Sequence, residues 1–169
     1  TAALPDYFIA NSNFIAHKIK KCYGRESEVV APPVSDLFFK KINQSLEQEE
    51  DFYLMVGRLV HYKRFDLGIL ACKEMNRRLK IVGTGPETDR LKKLAHQEKY
   101  PVEFLGRVSD EKLLSLYQVA KALIFPQVED FGITAAEAQA VGLPVIAYGA
   151  GGILDIIEDG KTGMFFNEQ

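Results

Sequence analysis

The sequence predicts an α/β domain: a parallel sheet with helices on both faces. Three observations lead there. From residue 52 onward, short apolar runs alternate with amphipathic helical patterns. The runs are apolar at nearly every position, as strands covered on both sides must be. And five successive runs end in glycine or in an acidic pair, which keeps one edge of the sheet open to a ligand. Strict alternation of strand and helix implies right-handed crossovers and hence a doubly wound, Rossmann-like sheet.

The predicted strands are 52–56, 79–82, 102–105, 122–125, 145–148 and 164–166. Between them, helical patterns cover 65–78, 87–98, 110–120, 135–141 and 153–158. In the third, Leu113, Leu114, Tyr117 and Ala120 form an apolar stripe at helical spacing. Ser109 is its expected N-cap, and Asp110 and Glu111 suit the positive helix end. The fourth is closed by Gly142 and Pro144, the usual order of stop signals.

The first fifty residues differ. Tyr7-Phe8-Ile9-Ala10 reads as a strand, and 14–23 as a helix entered through Asn11-Ser12-Asn13 and closed by Gly24. Val29-Val30-Ala31 then runs into Pro32-Pro33, a stiff extended connection. The stretch 45–51, with five acidic residues or glutamines in a row, reads as a solvated loop.

Bulk composition narrows the class. The chain has 169 residues, 47% of them hydrophobic, which suits a globular fold with one main core. Twenty-one basic against 23 acidic residues leave a net charge of −2, giving no reason to expect nucleic acid as a partner. Cys22 and Cys72 make neither a disulfide framework nor a zinc spacing, and fit a reducing compartment. No apolar run nears the ~20 residues of a membrane span. The start lacks a signal peptide and an initiator Met, so the expectation is a piece of a longer protein.

The most informative feature is Glu129 with Glu137, flanking the junction Asp130-Phe131-Gly132-Ile133-Thr134 between a strand and a helix. Ionised carboxylates accept charge-assisted hydrogen bonds, so two of them beside a helix N-terminus suit a ligand rich in hydroxyls that also carries phosphate. After the first strand, Gly57-Arg58 is followed by His61, Lys63 and Arg64, which is either a phosphate site or a solvated basic turn. After the second, Gly83-Thr84-Gly85-Pro86 resembles half of a dinucleotide fingerprint whose third glycine is absent. Gly106-Arg107-Val108-Ser109 and Gly149-Ala150-Gly151-Gly152 repeat the pattern. His61 reads as a surface residue rather than a general base, and His17 and His96 as solvent-facing. No catalytic triad, metal cluster or Walker lysine stands out.

In this order the motifs resemble the C-terminal, donor-binding domain of retaining family four glycosyltransferases, which have the GT-B fold: Gly-Arg-x4-Lys, Gly-x-Gly-Pro, Leu105-Gly106-Arg107-Val108-Ser109, Glu-x7-Glu and Gly142-Leu143-Pro144-Val145-Ile146-Ala147. The resemblance implies that 1–31 is a remnant of the acceptor domain, 32–51 a linker and loop, and 52–169 the nucleotide-sugar domain, truncated at its C-terminus. It implies that Arg58 and Lys63 grip the donor diphosphate and that Glu129 faces the transferred sugar, these three being the catalytic candidates. Glu137 would accept from the ribose hydroxyls. Phe131, Gly132 and Ile133 would lie near sugar and phosphates, Arg107 and Val108 beside the base, and Gly57, Gly83 and Gly85 along the nucleotide pocket. No metal or other cofactor is expected. The full-length enzyme would be cytoplasmic, at most peripheral at the inner face of the membrane, with a glycan or lipid-linked acceptor held by the absent domain.

One departure is Arg64, where the family often has glycine. Lys63-Arg64-Phe65-Asp66 with Glu129-Asp130-Phe131-Gly132-Ile133 resembles mannosyltransferases of surface polysaccharide and lipid-linked glycan synthesis, which implies GDP-mannose as donor. Rivals are a UDP-sugar transferase, a nucleotide-sugar epimerase of the same fold, a binding module without catalysis and, remotely, an NAD-dependent oxidoreductase. The last requires Gly-x-Gly-x-x-Gly after the first strand, where the chain has Gly57-Arg58-Leu59.

Overall fold

The computed structural model describes residues 4–39, 51–97 and 102–168. In chain order the strands are β1 (Ile9–Ala10), β2 (Glu28–Val29), β3 (Phe52–Val56), β4 (Arg78–Val82), β5 (Val102–Gly106), β6 (Ala122–Phe125), β7 (Val145–Tyr148) and β8 (Gly163–Phe166). The helices are α1 (Asn13–Tyr23), α2 (Phe65–Glu74), α3 (Thr88–Gln97), α4 (Asp110–Val119) and α5 (Ile133–Val141). Three short 3-10 turns occupy Asp36–Phe39, His61–Lys63 and Gly152–Asp155.

Six strands form one all-parallel sheet in the order β5-β4-β3-β6-β7-β8. The chain starts at β3, steps outward to β5, then crosses back to lay β6 along the other side of β3 and steps outward again. Between β3 and β6 the strand order reverses, and the diverging connections leave a crevice at their carboxyl ends.

Alternation along β3 divides the core. Phe52, Leu54 and Val56 face one side, where they meet Leu123, Phe125 and Val145 beneath Leu114 and Tyr117 of α4 and Ala135 and Ala138 of α5. Met55 faces the other, with Leu79, Ile81, Ile69 and Cys72 of α2, and Leu91 and Ala95 of α3. Burial on both faces is why these strands read as continuous apolar runs. The segment expected as linker is not all solvent-facing: Phe38, in the turn at 36–39, is buried in the first cluster, edge-on to Tyr117 with ring centroids 5.9 Å apart.

Two helical expectations are corrected. The pattern at 65–78 breaks at Met75 because Asn76 takes a left-handed conformation (φ 52°) and the Arg77 N–H turns back to the Cys72 carbonyl at 2.8 Å; Arg78 then begins β4. The pattern at 153–158 is only the 3-10 turn Gly152–Asp155, since the chain must reach β8 by Gly163. Helix α5 starts two residues earlier than expected, at Ile133, from a left-handed Gly132. The acidic run at 47–50 and Glu98 lie outside the described residues.

The N-terminal strands β1 and β2 pair in parallel as a separate two-stranded sheet. Ser12 caps α1, accepting from the Ile15 N–H at 3.1 Å, and Gly24 closes it at φ 65°. This end of α1 docks on the loops after β6 and β7. The Ser12 hydroxyl donates to the Asp130 carbonyl, the Asn13 N–H donates to Asp155 Oδ2 at 2.6 Å, and Lys18 Nζ lies 3.3 Å from Asp130 Oδ1. Tyr7 and Ile9 are exposed. No helix of the described residues is long and apolar enough to cross a membrane.

Leu54 is fully buried at the centre of the sheet. Leu54→Ala is expected to cost about 2–5 kcal/mol, measured by equilibrium urea unfolding.

Candidate functional site

The strand ends around the crevice are laced by backbone. The Gly57 N–H donates to the Val82 carbonyl at 3.0 Å, the Gly83 N–H to the Gly106 carbonyl at 2.7 Å, and the Leu59 N–H to the Thr84 carbonyl at 3.0 Å. On the other side of the reversal, between the loops after β6 and β7, the Gly152 N–H donates to the Glu129 carbonyl at 2.8 Å. The approach at Gly83 is so close that a Cβ there would lie 1.8 Å from the Gly57 carbonyl oxygen, and its φ of 129° suits glycine alone. The loops after β3, β4 and β5 therefore form a continuous rim.

Cations line that rim. Arg58 and Arg107 are exposed and, with Gly57, Gly83 and Thr84, enclose an open cleft of about 400 Å3. Lys63 comes off the 3-10 turn that follows Arg58 and crosses over Gly57, its Nζ 3.2 Å from where a Cβ on that glycine would sit. The ammonium meets Glu129, from the loop after β6, at 2.9 Å, with both side chains largely shielded from water. Loops from the two strands flanking the reversal thus bring opposite charges together over the crevice. Beside them, α5 begins at Ile133 with its first N–H groups turned toward the same edge.

Glu137 lies one turn into α5. Its Oε2 accepts from the hydroxyl of Tyr117 at 3.3 Å, and the same hydroxyl is 3.3 Å from the Thr134 carbonyl. Burial raises the Glu137 carboxyl above its ordinary value, the Tyr117 bond opposes that rise, and the charge of Asp110 adds to it. Burial, and then the Glu137 charge, push the Tyr117 phenol up. His61 is exposed and 4.0 Å from Glu87, with no place among these groups. Among the described residues no cluster of three or more His, Cys, Asp or Glu could hold a metal ion.

The chain has relatives in sequence and in fold. The family profile described as glycosyl transferases group 1 matches residues 38–169. The chain belongs to that family. An uncharacterized glycosyltransferase of Methanocaldococcus jannaschii is 35% identical over 127 residues, covering 71% of this chain and 33% of the relative. The mannosylfructose-phosphate synthase of Agrobacterium fabrum is 32% identical over 151 residues, covering 79% and 33%. The chain thus spans about a third of the length of these curated relatives. In three dimensions it is similar to Anabaena HepE, a crystal structure in complex with UDP and glucose, with a TM-score of 0.81, 24% identity, and coverage of 98% of this chain and 50% of that one. The fold is that of one half of a GT-B glycosyltransferase.

In this glycosyl transferase domain, the structure gathers Gly57, Arg58, Gly83 and Arg107 around one cleft, and pairs Lys63 with Glu129 where the lysine passes over Gly57. Gly85 does not line the cleft; its backbone packs against Leu59, where a Cβ would lie 2.2 Å from the carbonyl oxygen. Val108 is partly buried against the core cluster under α4 and α5. Phe131 and Gly132 lie in the turn before α5, which the Gly152 backbone abuts, and Ile133 is exposed at its first position. Two features were missed from sequence. Tyr117 was read only as part of an apolar stripe, although a buried phenol needs a polar partner, which is a usable signal. The docking of Ser12 and Lys18 on Asp130 joins positions more than a hundred residues apart and left no local trace.

Arg64 takes φ 50°, the left-handed conformation that glycine adopts without penalty and a side chain does not. Arg64→Gly relieves about 1 kcal/mol of strain and loses a partly exposed contact to Asp66, so its stability should stay within about 1 kcal/mol of wild type by urea unfolding. Gly83→Ala should cost about 2 kcal/mol or more by the same measurement, because backbone and not a yielding side chain fills the space. The folded Glu137 carboxyl binds its proton more tightly than the unfolded chain does, so the domain loses stability as pH rises from 4.5 through the raised value. Glu137→Gln should therefore melt higher than wild type at neutral pH, with the difference closing below pH 4.5.

Proposed function

We propose that this chain is the donor-binding half of a retaining hexosyltransferase that transfers mannose from GDP-mannose to a glycan or glycolipid acceptor. The observation that carries the reading is the convergence, at the strand-order reversal, of Arg58 and Lys63 from one side and Glu129 from the other, beside the start of α5. A nucleoside diphosphate-sugar needs such a site: cations for the diphosphate, acceptors for the sugar and ribose hydroxyls, and a glycine-lined wall where backbone approaches.

In this reading the guanidinium of Arg58 and the ammonium of Lys63 hold the diphosphate and stabilise the negative charge it gains as the bond from sugar C1 to phosphate oxygen breaks. The acceptor oxygen bonds to C1 on the face the diphosphate leaves, and its proton passes to the departing diphosphate. Glu129 accepts from the hexose hydroxyls once the donor's phosphate has taken its place beside Lys63. Glu137 accepts from the ribose. These cations offset the diphosphate charge without a metal. The acceptor would bind to a second domain that closes over the cleft, and the enzyme would work in the cytoplasm, peripheral to the membrane where its acceptor is a lipid.

The mannose reading rests on the motif pair Lys63-Arg64-Phe65-Asp66 and Glu129-Asp130-Phe131-Gly132-Ile133, and a relative's name also contains mannose. A UDP-sugar donor is the second reading, favoured by the UDP in the complexes of structurally similar proteins. An NAD reading is disfavoured because β4 ends at Val82-Gly83 without the acidic residue that would bind a ribose there.

Calorimetric titration with GDP, UDP and NAD tests the reading. GDP should bind most tightly, and Glu137→Gln should weaken it by about tenfold or more, the loss of a charge-assisted bond. Preference for UDP would overturn the donor. Preference for NAD, or unchanged affinity in both Glu137→Gln and Lys63→Ala, would overturn the site.

A further inference from the structure

Among the described residues, Tyr117 is a large buried side chain whose polar atom reaches a candidate ligand residue, Glu137, and the reading above gives it no task. The residue is 1% exposed, its ring packed against Phe38 and the core beneath α4 and α5. Packing on all sides fixes the ring's axis, and because Oη lies on that axis the hydroxyl keeps one place even when the ring flips. Two acceptors face it at 3.3 Å, the Thr134 carbonyl and Glu137 Oε2, for one phenolic proton.

We propose that Tyr117 is a positioning residue for Glu137: its hydroxyl pins one carboxylate oxygen and thereby directs the other toward the ligand's vicinal hydroxyls. This rests on the reading of Glu137 as the ribose acceptor. The device works in both protonation states. When Glu137 is ionised, the phenolic proton goes to the charged oxygen, the stronger acceptor. When Glu137 is protonated, its own O–H donates to Tyr117 Oη and the phenolic proton turns to the Thr134 carbonyl, so no polar atom is orphaned. The carboxyl therefore keeps one rotamer throughout its titration.

The electrostatic surroundings make the hydroxyl consequential. The groups that act on the Glu137 carboxyl are its burial, Tyr117 and Asp110, the last two both from α4. Burial and Asp110 disfavour the charge, and Tyr117 favours it. No cation is among them. Asp36, in the 3-10 turn packed on α5, is exposed and does not join them, and β6 and β7 bring no charged side chain. Removing the hydroxyl thus removes the favourable member of the set while leaving the ring in the core.

The test uses the whole chain with GDP as probe. Tyr117→Phe should weaken GDP binding at neutral pH by about threefold to tenfold, the range for one hydrogen bond. It should also move the acid limb of the affinity profile to higher pH. A merely structural tyrosine would change the melting temperature and leave that midpoint in place. Titration of the Glu137 carboxyl followed by carbon NMR should show the same upward move with no ligand present. Replacing residue 117 by 3-fluorotyrosine, a better donor of nearly the same shape, should move it down, and serves if the Phe variant folds poorly. An unmoved Glu137 titration in both variants would overturn the inference. If Glu137 titrates as expected but Glu137→Gln binds GDP like wild type, the ribose reading fails and positioning for that ligand fails with it. If Glu137→Gln loses GDP while both Tyr117 variants match wild type in affinity and pH profile, only the Tyr117 inference fails.

Discussion

The pairing of β3 with β6 is the constraint on which the rest depends. The two strands share a short parallel register, Tyr53 with Ala122 and Leu54 with Leu123. From that seam the chain runs outward in opposite directions, so the connection after β3 leans one way and the connection after β6 the other. Lys63 and Glu129 are sixty-six positions apart in sequence, and this seam makes them neighbours. Their contact adds little to stability: two partly desolvated charges lose hydration roughly equal to what they regain by attraction. The Nζ lies close to Glu129 Oε1, yet that oxygen has no aligned hydrogen bond. A close but imperfectly bonded pair is easily exchanged for a better anion, which is what a phosphate-bearing ligand would require of it.

The scaffold around this pair is backbone rather than side chain. Lacing between Gly57, Gly83 and Gly106, and between Glu129 and Gly152, satisfies polar groups that would otherwise be stranded at the strand ends. It also fixes the rim without filling the crevice. The residues that could touch a ligand, Arg58 and Arg107, are long and exposed, while the residues that hold the geometry are small and shielded. Rigid support and adaptable contact are thus assigned to different positions.

Much of this was legible in the sequence because both signals were local. Apolar runs of three to five residues marked the six strands, since burial on both faces leaves little room for polar positions. Glycine at the strand ends marked the open edge. Ser12, Gly24 and Ser109 marked helix ends through caps whose geometry involves only near neighbours. What failed locally was the pattern at 65–78: the last apolar position is Met75, and Asn76 turns the chain before the polar Arg77 and Arg78 could extend the helix. The turn at 152–155 failed because Ile153, Ile156 and Ile157 mimic a helical stripe while serving as a plug over the loop after β6. The contacts of Tyr117 with Glu137 and of α1 with Asp130 were invisible for a different reason. They depend on which crossover lies on which face, and no periodicity encodes that.

The two cysteines differ in a way that follows from the packing. Cys72 is sealed beneath α2, where burial pushes its thiol up to about 12. Cys22 lies exposed near the end of α1. A thiol-directed reagent will therefore find a single address in this folded chain, and it is on the helix whose far end grips the acidic loop through Ser12 and Lys18. A fluorophore placed there without any mutation becomes a built-in reporter of how that helix moves against the sheet.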